Sequence, residues 1–177
     1  GDVNPTVAAL IEAYGFEPLP VEGTLFVSTY RSTQSLPDGA PVGTAMIGLY
    51  ANDPLSRSLF HRLPSDEVWH FYGGDPIRMV LLFPQGEVRE VLLGADVGAG
   101  QRVQAVVPAG VWQAGELAPD GTYALFGCTM APGFTGAAFE GGRCSALLAS
   151  HPGARVDIER LAVPDDESAS MPDGFAT

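Results

Sequence analysis

Glycine and proline interrupt this chain so often that no long helix fits through most of it. Twenty-two glycines and fifteen prolines divide the 177 residues into short apolar runs. Each break favours a turn, because glycine opens positive backbone angles and proline removes an amide donor. The runs between them are rich in β-branched and aromatic residues, as in GTLFVSTYRS at 23–32 and IRMVLLF at 77–83. Such runs read as strands, and further ones lie at 43–50, 56–61, 67–72, 88–93, 101–107, 111–117 and 123–130. Pro84-Gln85-Gly86-Glu87 predicts a hairpin turn, and Pro108-Ala109-Gly110 and Pro119-Asp120-Gly121 mark the next breaks. The expected class is all-β, a jelly roll.

One amphipathic helix precedes the strands. Asn4 or Thr6 caps it, Pro5 suits its first turn, Val7, Leu10, Ile11 and Tyr14 share a face, and Gly15 ends it. Residues 142–150 and 155–161 read as minor helical elements near the end. The stretch 164–177 is acidic, rich in small residues and aperiodic, so it is expected to be flexible or to lie on the surface. The chain therefore reads as one domain over 1–163 and a tail over 164–177.

The net charge is -12, and all nine basic residues are arginines scattered between Arg31 and Arg160. A chain without a basic patch is repelled by nucleic acid and by anionic membranes. With no lysine anywhere, Schiff-base chemistry, pyridoxal-phosphate attachment and the phosphate-binding P-loop are excluded. No leader-like segment and no apolar run near membrane-spanning length stands out, and the expectation is a soluble cytoplasmic protein. Cys128 and Cys144 are expected to stay reduced, with Cys128 a small buried hydrophobe in a strand.

Reactive side chains concentrate in FHRLPSDEVWHFYGGDP at 60–76. Strand alternation puts Glu67, Trp69 and Phe71 on one face and Val68, His70 and Tyr72 on the other. A histidine near a buried carboxylate moves protons around neutral pH, which makes His61 and Glu67 the candidate pair. Glu67 in an apolar interior needs a partner or a raised pKa, and His61, Arg62 and Gln113 are the candidate partners. Ser65, Asp66 and Asp75 read as turn residues. Trp69 and Trp112 adjoin polar candidates and can wall a pocket, joined by Gln104, Tyr30 and Phe71. Tyr50 and Tyr72 are further candidate acids if they face the interior.

This block, together with VVPAGVWQAG at 106–115 and FGCTMAPGF at 126–134, resembles three successive blocks of the fifth cupin group, in order and spacing from about residue 8 to 152. The resemblance implies a double-stranded β-helix, a homodimer, and a small-molecule pocket inside the barrel. Of the four metal-ligand positions in the general cupin pattern, His61 and Glu67 keep a ligand, while Leu63 and Gln113 replace histidines and Leu117 stands where asparagine is usual. The group's His-Pro-Glu-Gly-Gly-aromatic segment reads Leu19-Pro20-Val21-Glu22-Gly23-Thr24-Leu25 in this chain. The resulting expectation is an acid–base enzyme without a cofactor, of epimerase, isomerase, cyclase or lyase type, with His61 as base or acid, Glu67 as its partner and Gln113 polarising a carbonyl. The alternatives are a divalent-metal oxygenase or lyase held by His61, Glu67 and Gln113, and a binding module without chemistry.

Overall fold

The computed structural model describes residues 3–176; Gly1, Asp2 and Thr177, which belong to the expected domain and tail, lie outside them. Helix α1 spans Pro5–Tyr14. Its first turn is capped by the Asn4 side chain, which accepts from the Thr6 and Val7 amides, and left-handed Gly15 returns its N–H to the Ile11 carbonyl. The strands follow in chain order: β1 Glu17–Pro18, β2 Leu25–Arg31, β3 Thr44–Asn52, β4 Leu55–Ser56, β5 Ser58–Arg62, β6 Glu67–Gly74, β7 Ile77–Leu82, β8 Val88–Leu93, β9 Gln104–Val107, β10 Trp112–Leu117, β11 Tyr123–Met130 and β12 Glu140–Gly141. Helices α2 Cys144–Ser150 and α3 Arg155–Leu161 come last.

Two antiparallel sheets face each other as a double-stranded β-helix. The larger runs β1-β2-β3-β11-β6-β9 with β4 paired to β3, and the smaller runs β12-β5-β10-β7-β8. The anticipated hairpin joins β7 to β8, closed by the Phe83 amide on Glu87 and the Gly86 amide on Phe83. The strand expected from Gln101 begins only at Gln104, because Asp96 and Gln101 hold a short helical turn at 97–99. Cys128 and Cys144 are free thiols. Among the described residues no helix is long and apolar enough to cross a membrane.

The barrel interior is filled by Tyr50, Trp69, Met79, Leu81 and Phe126. Outside the smaller sheet, α2 and α3 bury Leu147, Ile158 and Leu161 on Phe60, Val80, Leu82 and Ala114. Arg78 fastens α3 there through two bonds to Asp157 at 2.8 and 2.9 Å. This leaves one end of the barrel to be closed by loops. Leu19, Leu63, Met130 and Phe139 close it together with Met171 from the acidic tail.

Two glycines make room for the largest interior rings. A Cβ on Gly48 would collide with the Phe126 ring, and one on Gly115 would lie 3.2 Å from the ring carbons of Tyr50. Phe126 and Tyr50 are fully buried and pack at 4.7 Å, so neither ring can swing away. Gly48→Ala is expected to lose about 2 kcal/mol in urea unfolding. Gly73→Ala, where a Cβ meets nothing within 4 Å, is the control and should stay within about 0.5 kcal/mol.

Candidate active site

A β-bulge in β5 creates the polar end of the barrel. Gln113 pairs with His61 and Gly115 with Ser58, so Leu59 and Phe60 together oppose Ala114 alone. The extra residue shifts the alternation. Ser58 and His61 both point inward, and Phe60 is left on the outer face under the helices. The bulge also frees the backbone groups of Leu59 from the ladder. Its N–H donates to the Glu22 carbonyl at 3.0 Å, and its carbonyl accepts from His61 Nδ1 at 2.7 Å. A carbonyl only accepts, so the Nδ1 proton is fixed and Nε2 is the nitrogen that gains or loses one.

Glu22 enters from the loop between β1 and β2. The Glu22 amide donates to the Pro20 carbonyl, a three-residue turn centred on Val21 at φ 68. A β-branched residue in the left-handed region is strained, and such strain collects at functional sites. The turn sends the Glu22 side chain into the barrel, where Oε2 lies 3.4 Å from His61 Nε2. Oε1 ends a chain of buried hydroxyls. Tyr50 donates to Ser58 at 2.5 Å, Ser58 meets Thr24 at 2.6 Å, and Thr24 donates to Glu22 at 2.6 Å. Donated in that direction, each hydroxyl uses its single proton once.

Glu67 approaches from the opposite sheet. Burial pushes its carboxyl up from 4.5 to about 7, against the pull of His61, with the Glu22 charge adding to the rise and hydrogen bonds from Gln113 and Trp69 opposing it. Trp69 Nε1 donates to Gln113 Oε1 at 2.9 Å and its ring stacks on Phe126 at 4.9 Å. Burial also raises the Tyr50 phenol and the Cys128 thiol, so both keep their protons. Phe139 stacks on the far side of the imidazole at 5.3 Å.

The cavity between these groups is lined by Glu22, His61 and Glu67 among the apolar side chains of Leu19, Leu63, Met46, Trp69, Phe126, Met130 and Phe134, with Thr44, Ala45 and Cys128. Its free volume is about 30 Å³, room for roughly two waters.

The sequence-based expectations divide here. His61, Glu67 and Trp69 line the cavity. Gln113 is buried beside it with its oxygen accepting from Trp69, which leaves its NH2 group as the donor on the Glu67 side. Trp112 is a correction: it neighbours Gln113 in β10 and therefore faces outward, packed on the helical cluster beneath the Arg62 guanidinium at 4.4 Å. Gln104 is a second, because it pairs with His70 on the outer face and its side chain meets that ring at 3.4 Å. Tyr30 is a third, since it lies beyond a bulge in β2 and is 56% exposed. Phe71 packs against the barrel core below the cavity and does not line it. Tyr50 faces inward, while Tyr72 is exposed on the outer face. Asp66 and Asp75 bond backbone amides of Ala109, Thr122 and Tyr123, as turn residues do.

Glu22 was not anticipated. The available signal was an acidic residue set between Pro20-Val21 and Gly23 where the resemblance departs.

The metal reading fails on the donor set. Leu63 brings no ligand atom, the Gln113 oxygen is already an acceptor, and among the described residues no three His, Cys, Asp or Glu side chains are grouped to hold an ion. The residues do not fit a divalent metal.

A family model described as "Cupin superfamily (DUF985)" matches residues 8–141. Among solved structures, a protein from Shewanella oneidensis is 32% identical and superposes with a TM-score of 0.81, covering 89% of this chain and 97% of that one. A hypothetical protein from Leishmania major is 28% identical with a TM-score of 0.80, covering 88% and 97%. No curated protein matches the chain.

The Glu67 shift has a measurable sign. Between pH 4.5 and about 7 the folded chain keeps a proton on Glu67 that the unfolded chain releases. Stability is therefore lost as pH rises through that window, on the order of 3 kcal/mol from this group. Urea unfolding of wild type and Glu67→Gln at pH 4.5 and pH 8 should show the variant gaining on wild type by that order as pH rises. A pH-independent difference would contradict the assignment.

Proposed function

Because the chain belongs to the DUF985 family of the cupin superfamily, we propose that its barrel is a small-molecule site, and that it moves protons by acid–base chemistry between His61 and Glu67. The observation carrying this reading is a buried histidine, tautomer fixed by the Leu59 carbonyl, that shares one apolar cavity with a carboxyl titrating near neutrality. Groups poised near the working pH are what proton transfer requires.

His61 Nε2 is the base. It removes the proton from a carbon beside a carbonyl, and Glu22 steadies the imidazolium that forms. Glu67, on the opposite sheet, gives its proton to the carbonyl oxygen as the C–H electron pair moves into the new C=C bond. The resulting enol is neutral. Return of the His61 proton to the same carbon on its other face, with the enol O–H giving its proton back to Glu67 as the C=O reforms, epimerises it. In a hydroxyketone the enol is an enediol, and delivery of the His61 proton to the former carbonyl carbon, with the hydroxyl on the first carbon giving its proton to Glu67 as the new C=O forms, isomerises it. Gln113 and Trp69 hold Glu67 in place.

The lining also points to the charge of the ligand. Among the described residues that line the cavity there are the carboxylate of Glu22, the proton-bearing carboxyl of Glu67 and a histidine but no arginine. A carboxylate or phosphate would be repelled there, so the substrate class is an uncharged carbonyl compound.

Deuterium exchange tests this. In heavy water with a panel of uncharged hydroxyketones and their carboxylate counterparts, NMR should show exchange beside the carbonyl of an uncharged member, slowed about 100-fold or more in His61→Gln. Exchange at an unchanged rate in His61→Gln would remove histidine as the base. A ligand retained in native mass spectrometry but never exchanged or converted would make the protein a binding module.

A further inference from the structure

The cavity is tight. With about 30 Å³ of free volume it admits water and nothing the size of a hydroxyketone. Opening must therefore occur somewhere, and the packing around its mouth locates the weak place.

After α3 the chain is pinned by a short parallel contact. The Val163 amide donates to Gly142, the Cys144 amide to the Val163 carbonyl, and Asp165 receives the Ser145 amide at 3.1 Å and the Arg143 guanidinium at 2.8 Å. Past Asp165 the attachment thins. Among the described residues, the backbone hydrogen bond from 166–176 to the barrel is that of the Gly141 amide to the Ala169 carbonyl, at 2.7 Å. Two side chains do the rest. Met171 is buried among Leu19, Leu63, Met130 and Phe139, and Phe175 lies edge-on to Phe134 at 6.5 Å and tilted against Phe26 at 6.4 Å. Leu19, Leu63, Met130 and Phe134 all line the cavity, and Phe139 stacks on His61. The outer side of the cavity wall is thus held by two apolar residues on a segment that is otherwise mostly exposed.

We propose that residues 166–176 form a hinged strap that gates the barrel pocket, with 163–165 as the hinge and Met171 and Phe175 as the latch. Lifting the strap exposes little apolar surface compared with unfolding the barrel, so it opens at a small fraction of the global free energy. The released loop wall at Leu19 and Phe134 then gives way to the ligand. The gate concerns access alone and stands or falls separately from the proton chemistry.

Cys128 supplies a probe that needs no substrate, because it is buried in the cavity wall and can react only when the pocket opens. Its labelling by iodoacetamide is followed by peptide mass spectrometry, with half-buried Cys144 in α2 as the internal control. In wild type the Cys128 rate should be flat at low urea, since strap opening exposes little surface. Phe175→Ala and Met171→Ala should each raise it about tenfold with the low-urea rate still flat and Cys144 unchanged. Cys128 labelling in both variants at the wild-type rate would overturn the proposal. So would wild-type labelling that climbs from the lowest urea with the slope of global unfolding.

Discussion

Glu22 and Glu67 are each less than a tenth exposed, and no guanidinium lines the cavity they share. Carboxylates in an apolar interior are tolerated only when hydrogen bonds or a proton neutralise them. The fold meets that demand by two different routes. Glu22 receives a chain of three hydroxyls and faces an imidazole, whereas Glu67 keeps its own proton to near neutrality. Much of the local geometry follows: the bulge that turns Ser58 inward, the strained turn at Val21, and the Gln113–Trp69 pair behind Glu67.

The same environment explains why the two acids are not equivalent. Both are buried side chains in one cavity, yet the donors are distributed unequally and Glu22's charge itself helps to protonate Glu67. Separation of two carboxyl groups into a charged member and a proton-bearing one is how a single apolar site holds both a stabilised cation and an acid. The Leu59 bulge joins the two halves, because its freed carbonyl orients His61 while its freed amide holds the Glu22 loop.

Much of this was legible in the residues. Turn spacing and β-branched runs located the strands to within a few positions, since each strand's hydrophobic pattern is local. His61, Glu67 and Trp69 were legible as a pocket set. Trp112 was not, because its adjacency to Gln113 in sequence was read as adjacency in space, and a strand turns neighbouring side chains to opposite faces. Gln104 was not, because its pairing opposite His70 sets its face. Tyr30 lies past a bulge that no single sequence marks, which turns it outward. The tail at 164–177, read as flexible or on the surface, carries Met171 into the loop cluster at the mouth, a placement that composition conceals because the other residues around it are exposed.

From its residues alone, the chain was committed to an all-β cupin barrel, to a site without lysine, and to the missing donors at Leu63 and Gln113. These follow from residue type and short-range pattern. That His61 meets Glu22, that Gln113 serves Trp69 and Glu67, and that Met171 and Phe175 back the cavity wall emerged only on folding. Each joins segments 30 or more residues apart through a bulge, a strained turn or a crossing strap, and their phase is set by long-range packing rather than by local preference.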